Sequence, residues 1–300
     1  MTTPVAVIGC GLIGRAWTIV FARAGCPVRL WDAAPEVLES IPGRLRAMCD
    51  EAGEDPAILD LVTTHATMAE ALDGALWVQE NGPEKLDIKR AIYAELDRLA
   101  SPETILASSS SALVSSQFAE GLAGRGRILV AHPVNPPHVV PVVELCPSPD
   151  TTPETMDRAE TLMREVRQVP VRMTAEIDGF VLNRLQAVLL AESLRLVESG
   201  IVTAEGVDDT LRHGLARRWV LLGALETINL NAPGGVADYL DRYGPTMARL
   251  SDGAARGEAF TPGVAAKLAA TLPAPARVAE LSAKRDRDLT ALSHFLKTLS

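Results

Sequence analysis

A chain of 300 residues with 47% hydrophobic and 22% charged residues can bury sizeable cores, and its length suits two domains. A formal net charge of -9 excludes a general nucleic-acid binder, which needs clustered Lys and Arg to meet phosphate. Cys10, Cys26, Cys49 and Cys146 show no C-x-x-C spacing, the N-terminus has no charged segment ahead of a cleavable apolar run, and no uncharged run approaches a membrane span. A cytoplasmic protein with no metal, nucleic-acid or membrane partner is expected.

Short apolar runs at Val5–Ile8, Val28–Trp31, 75–79, 104–107 and 127–131 read as buried strands separated by helical stretches. Between the first two, Ile13, Ala16, Trp17, Val20, Phe21 and Ala24 fall on one face of a helix. This alternation implies a doubly wound, mostly parallel sheet. The loop 132–141 holds Pro133, Pro136, Pro137 and Pro141, after which 142–146 reads as an antiparallel return strand. Beyond residue 175 only helical patterns follow, at 179–199, 204–213, 236–249 and 279–297. The expected architecture is α/β: an N-terminal Rossmann-like domain over 1–175 and an all-helical domain over 176–300.

Gly9-Cys10-Gly11-Leu12-Ile13-Gly14 is a G-x-G-x-x-G run between a strand and a helix. Gly9 permits the tight turn, Gly11 lets the backbone approach a diphosphate, Gly14 allows close helix packing, and the helix start at Leu12 and Ile13 supplies N–H donors. Asp32 closes the next strand, where a carboxylate accepts hydrogen bonds from the adenosine ribose. With strand, helix and acid all in place, a coincidence of turn glycines is the weaker explanation. NAD is expected over NADP, because Asp32 repels a 2′-phosphate and Ala33 and Ala34 offer no compensating charge. Cys10 reads as a small filler.

In such sheets ligands sit at the carboxyl ends of the strands. Ser108-Ser109-Ser110-Ser111 follows one strand and His132 another. A serine run there is also what a helix cap or solvated loop uses. If 127–131 and 142–146 pair antiparallel, His132 and Glu144 become neighbours. A carboxylate in an apolar strand needs a partner, and an imidazole, which titrates near neutrality, suits the removal of a hydroxyl proton. A lone histidine is more often structural; the pairing favours an acid-oriented base. His138, six residues on in an irregular Pro-rich loop, is not expected to make a metal pair with His132, while His65, His213 and His294 lack clustered acids or thiols and read as surface or packing residues.

Together with Asn81-Gly82-Pro83-Glu84, these segments and Gly179-Phe180-Val181-Leu182-Asn183-Arg184 resemble the 3-hydroxyacyl-CoA dehydrogenase superfamily. Ala131-His132-Pro133-Val134-Asn135-Pro136-Pro137, Leu185-Gln186 and Leu225-Glu226-Thr227-Ile228-Asn229-Leu230-Asn231 resemble its lambda-crystallin and L-gulonate 3-dehydrogenase branch in particular. The resemblance implies an NAD-dependent oxidoreductase with a site in the cleft between its domains. It implies His132 as general base, Glu144 holding its tautomer, Ser111 and Asn183 on the reacting oxygen, and cofactor contacts from Glu84, Lys89 and Asn135. For Glu84 and Lys89 the plainer reading is a solvated helix start, and for Asn183 an exposed polar residue in a first helical turn.

The segment between Asp32 and Leu61 is short and lacks the lysine-rich helical hairpin associated with CoA, while Leu222-Gly223-Ala224-Leu225 replaces the branch's Gly-Pro step. Arg217-Arg218-Trp219 stands where the gulonate branch has an Arg and an aromatic, so Arg218 suits a free substrate carboxylate. The alternative is a solvated Arg beyond a helix end at Gly214. The expected substrate is therefore a small free 3-hydroxy acid of the L-gulonate kind, with a CoA thioester as the enzymatic rival and a non-catalytic crystallin-type NAD binder as the rival of another class. The apolar circumference of 179–199 points to a homodimer.

Overall fold

The computed structural model describes residues 3–252, 260, 263, 268, 277–296 and 298. Two compact units result: Met1–Phe180 together with Glu280–Ser300, and Val181–Ala279. The change of unit falls beside Gly179 and Phe180, which take left-handed φ angles of 76° and 49° in succession.

The first unit is built on one eight-stranded sheet. Its strands are β1 (Val5–Ile8), β2 (Val28–Trp31), β3 (Val62–Thr64), β4 (Trp77–Glu80), β5 (Ile105–Ser108), β6 (Ile128–Pro133), β7 (Val142–Pro147) and β8 (Val169–Arg172), in the order β3-β2-β1-β4-β5-β6-β7-β8. Pairing is parallel from β3 through β6, antiparallel between β6 and β7, and parallel again to β8. The order reverses between β1 and β4, the kind of switch point where a doubly wound sheet opens its ligand crevice.

β1 shows why the sequence folds this way: Val5 and Val7 enter one core and Ala6 and Ile8 the other, so a strand buried on both faces has no polar position. Helix α1 (Leu12–Arg23) lays Trp17, Val20 and Phe21 into the first core. Burying a side chain such as Phe21 stabilises the fold by about 1.5–3 kcal/mol. Helices α2 (Pro35–Ala52) and α6 (Pro153–Glu165) close that face, and α3 (Met68–Leu72), α4 (Leu86–Leu99) and α5 (Ser115–Ala119) close the other with Tyr93, Leu96 and Phe118.

In the second unit α7 (Leu182–Glu198) is followed by α8 (Ala204–Asp209), a π-helical turn Thr210–Leu215, α9 (Ala216–Leu230) and α10 (Gly235–Ser251). Gly214 therefore does not end a helix, and Arg218 stands inside α9 rather than beyond a terminus. Gly223 breaks α9 instead, at φ 71° and ψ 175°. The two units differ from the expected division at 175/176 in two places. Residues 176–180 group with the sheet, and so does the last helix, α11 (Val278–Leu296), where Thr290 and His294 border a cavity with Arg23, Glu54 and His138 of the first unit.

Candidate active site

The glycine loop has the form a dinucleotide needs. Gly9 holds φ at 89°, and a Cβ added to Gly14 would overlap the Gly9 carbonyl, so the start of α1 lies directly on the β1 turn. A Cβ added to Gly11 would meet nothing within 4 Å, leaving open space beside the loop. Asp32 accepts from the Cys10 N–H at 2.7 Å through one oxygen and from the Ala34 N–H at 3.0 Å through the other. Its carboxylate shapes the loop and retains acceptor capacity for ribose hydroxyls. Burial and the Asp32 charge push the Cys10 thiol up to about 12, so it stays protonated. These residues fit NAD.

At the carboxyl ends of β4 and β5 lies a largely buried polar lattice. Glu80, the last residue of β4, accepts from Gly82 N–H at 2.5 Å, from Ser108 Oγ at 2.8 Å and from Lys89 Nζ at 2.7 and 2.9 Å. Lys89 gives a further hydrogen bond to the Gly82 carbonyl at 3.2 Å. An ammonium has three donors, so Lys89 is engaged inside the chain and holds the loop after β4. Ser109 Oγ accepts from Trp17 Nε1 at 3.1 Å and Gln79 Nε2 at 2.8 Å and donates to Asn81 Oδ1 at 2.7 Å. Ser110 Oγ donates to Glu84 at 2.5 Å, and Glu84 also accepts from Ala112 and Leu113 N–H at 3.0 and 3.1 Å. Burial pushes the Glu84 carboxyl up, but these hydrogen bonds and the Lys89 charge outweigh it and hold the group below its ordinary range. Of the four serines, Ser111 alone is exposed.

His132 and Glu144 stand opposite each other in the antiparallel β6–β7 ladder. Both are buried, and His132 Nδ1 lies 2.8 Å from Glu144 Oε2. The Phe180 ring packs on the imidazole, centroids 5.2 Å apart, and is fully buried. Where Nδ1 donates to the carboxylate, a neutral ring keeps its lone pair on Nε2. His138 differs: burial and the Arg23 charge push its imidazole down to about 4. Among the described residues no group of three or more His, Cys, Asp or Glu could hold a metal ion, and no helix is long and apolar enough to cross a membrane.

Of the expected site residues, Gly9, Gly11, Leu12, Ile13, Gly14, Asp32, Glu84, Lys89, Ser111, His132, Asn135 and Glu144 lie in the first unit. Leu12 and Asn135, both exposed, line one cavity of about 110 Å³ with α2 and α11. Asn183 and Arg218 belong to the second unit, Asn183 half-buried at the second residue of α7 and Arg218 exposed at the third of α9.

A sheet of this order, with a glycine loop at its switch point and an acid after β2, has the form of a dinucleotide-binding domain. Residues 4–177 match the NAD-binding domain of 3-hydroxyacyl-CoA dehydrogenase and residues 179–256 its C-terminal domain. The chain belongs to the 3-hydroxyacyl-CoA dehydrogenase family, in its lambda-crystallin branch. It is 45% identical over 255 residues to the lambda-crystallin homolog of Rattus norvegicus, covering 82% of this chain and 80% of that one. It is 33% identical to the L-carnitine dehydrogenase/betainyl-CoA thioesterase of Ruegeria pomeroyi, covering 82% of this chain and 52% of that protein. The structure of 5-formyl-3-hydroxy-2-methylpyridine 4-carboxylic acid 5-dehydrogenase, an NAD+-dependent dismutase, superposes with a TM-score of 0.84 at 26% identity, over 99% of each chain.

Proposed function

We propose that this protein oxidises the 3-hydroxyl of a small free hydroxy acid of the L-gulonate kind. The buried His132–Glu144 pair, with Nδ1 at 2.8 Å from the carboxylate, is the observation that carries this function. Glu144 keeps the proton on Nδ1, Nε2 takes the hydroxyl proton, and the carboxylate then stabilises the imidazolium. Phe180 excludes water from one side of the ring. Ser111 and Asn183 hydrogen-bond the reacting oxygen, and Arg218 meets the substrate carboxylate. Gly9, Gly11, Leu12, Ile13, Gly14, Asp32 and Asn135 hold NAD, with Glu84 and Lys89 supporting the loops around it. When bound, NAD supplies the hydride acceptor.

A free acid is favoured over a thioester because α2 is a single helix whose basic residues are Arg44 and Arg46, without lysines. The family's acyl-CoA chemistry keeps the thioester as the second reading. A purely structural protein has no physical need for a buried acid–imidazole pair. The test compares kcat/KM for L-gulonate and other free 3-hydroxy acids with that for 3-hydroxybutyryl-CoA, using NAD. The free acids should win, and Arg218→Ala should raise their KM by the equivalent of about 2–5 kcal/mol for a desolvated charged pair. A clear thioester preference, with free-acid kinetics indifferent to Arg218→Ala, contradicts the assignment.

The second unit leaves Leu185, Leu221, Leu225 and Leu250 exposed at 68%, 62%, 80% and 58%. A second copy of the chain is the proposed cover, and a monomer in sedimentation at micromolar concentration contradicts it. The buried, unpaired cysteines suit the cytoplasm, and secretion to an oxidising compartment in a localisation experiment contradicts that placement.

A further inference from the structure

Arg15 follows the last glycine of the loop and is the fourth residue of α1. Its Nη1 reaches the Cys10 carbonyl at 3.4 Å, within the glycine loop itself, while its Nε is buried without a hydrogen-bond partner. Among the described residues neither Arg15 nor Arg44, on the adjacent α2, forms an ion pair. Burial, and then the nearby Arg44 charge, push the Arg15 guanidinium down. A buried donor left unmade costs free energy, and so does the approach of two cations with no anion between them. In a chain of formal net charge -9, an arginine held at the glycine loop with a buried, unmade donor stands out. The open space beside Gly11 and the unpaired N–H groups of the first turn of α1 adjoin the same loop. The chemistry that would satisfy the fork, the charge and the backbone donors together is phosphate oxygen.

We propose that Arg15, assisted by Arg44, forms a charged seat for the phosphates of the bound dinucleotide, on the diphosphate rather than on a 2′-phosphate. The seat rests on the cofactor reading. Adenine dinucleotides offer two phosphate sources: a diphosphate, shared by NAD and NADP, and a 2′-phosphate found only in NADP. The diphosphate is favoured because Arg15 is anchored to the glycine loop, whereas Asp32 opposes the 2′-phosphate.

Fluorescence titration of the full chain with NADH and NADPH tests the seat. Arg15→Met should raise the NADH Kd about ten-fold, the scale of one charge-assisted hydrogen bond, and the NADPH Kd by the same factor. Arg44→Met should act in the same direction by roughly three-fold, as a more distant and exposed charge. Arg15→Lys should restore part of the affinity, because it keeps the charge and loses the fork. The thermal midpoint without nucleotide should hold or rise in Arg15→Met, since an unmade hydrogen bond has been removed. A loss confined to NADPH places the pair on a 2′-phosphate and overturns the diphosphate seat. Unchanged Kd values for both nucleotides, or a fall in thermal midpoint that accounts for the lost affinity, overturn it as well. Failure of the unaltered protein to bind NADH would remove the cofactor reading first, before any substitution is made.

Discussion

Lys89 and Glu80 form an ion pair sealed from solvent: Nζ lies 2.7 Å from one carboxylate oxygen, and the side chains are 1% and 0% exposed. Through Glu80 the pair reaches Gly82 N–H and Ser108 Oγ, so one buried charge joins the loop after β4 to the end of β5. Breaking such a pair from one side leaves the other charge stranded.

Lys89→Met should therefore cost about 3–5 kcal/mol in urea unfolding, while Glu80→Gln/Lys89→Met should recover most of it, because no buried charge remains. A single variant as stable as the unaltered protein contradicts the buried pair. A double variant no better than the single one contradicts the explanation by a stranded carboxylate.

Glu84 gives a pH dependence with a definite sign. Its carboxyl is held below the ordinary value of 4.5 in the folded chain, so its stabilisation is full above that value and is lost as pH falls through the lower, folded-state value. Glu84→Gln should lower stability at pH 7 by about 1 kcal/mol, allowing for solvent screening of an exposed group, and the deficit should shrink once the pH drops well below 4.5. Urea midpoints at the two pH values read this directly. A deficit that grows on acidification contradicts the hydrogen-bonded carboxylate.

Much of the fold is written in short-range pattern. β1 coincides with an apolar run because a strand covered on both faces has no polar side to show, and the antiparallel register of His132 with Glu144 follows from the Pro-rich connection and the return strand after it. β8 was hidden by Pro170, which a sheet tolerates here because β8 is an edge strand. α9 was hidden by Gly214 and Gly223, two helix-breaking signals of which only Gly223 leaves helical geometry. The partition of the serines was not legible either. Which hydroxyl turns inward depends on Glu80, Gln79 and Trp17, which lie 28, 30 and 92 residues away from their serine partners along the chain. Lys89 reads from the sequence as a cofactor contact, with a solvated helix start as the plainer alternative, and neither reading reveals its buried pairing with Glu80.

In the proposed mechanism His132 acts as the base through Nε2 while Glu144 holds Nδ1. The measurement that bears on it most directly is kcat of His132→Gln with saturating NAD and the best free 3-hydroxy acid, alongside the NAD Kd of the same variant. Loss of a general base should lower kcat by ~10²–10⁴-fold with NAD affinity nearly unchanged. A kcat within a few-fold of the unaltered enzyme, in a folded variant that still binds NAD, would contradict it.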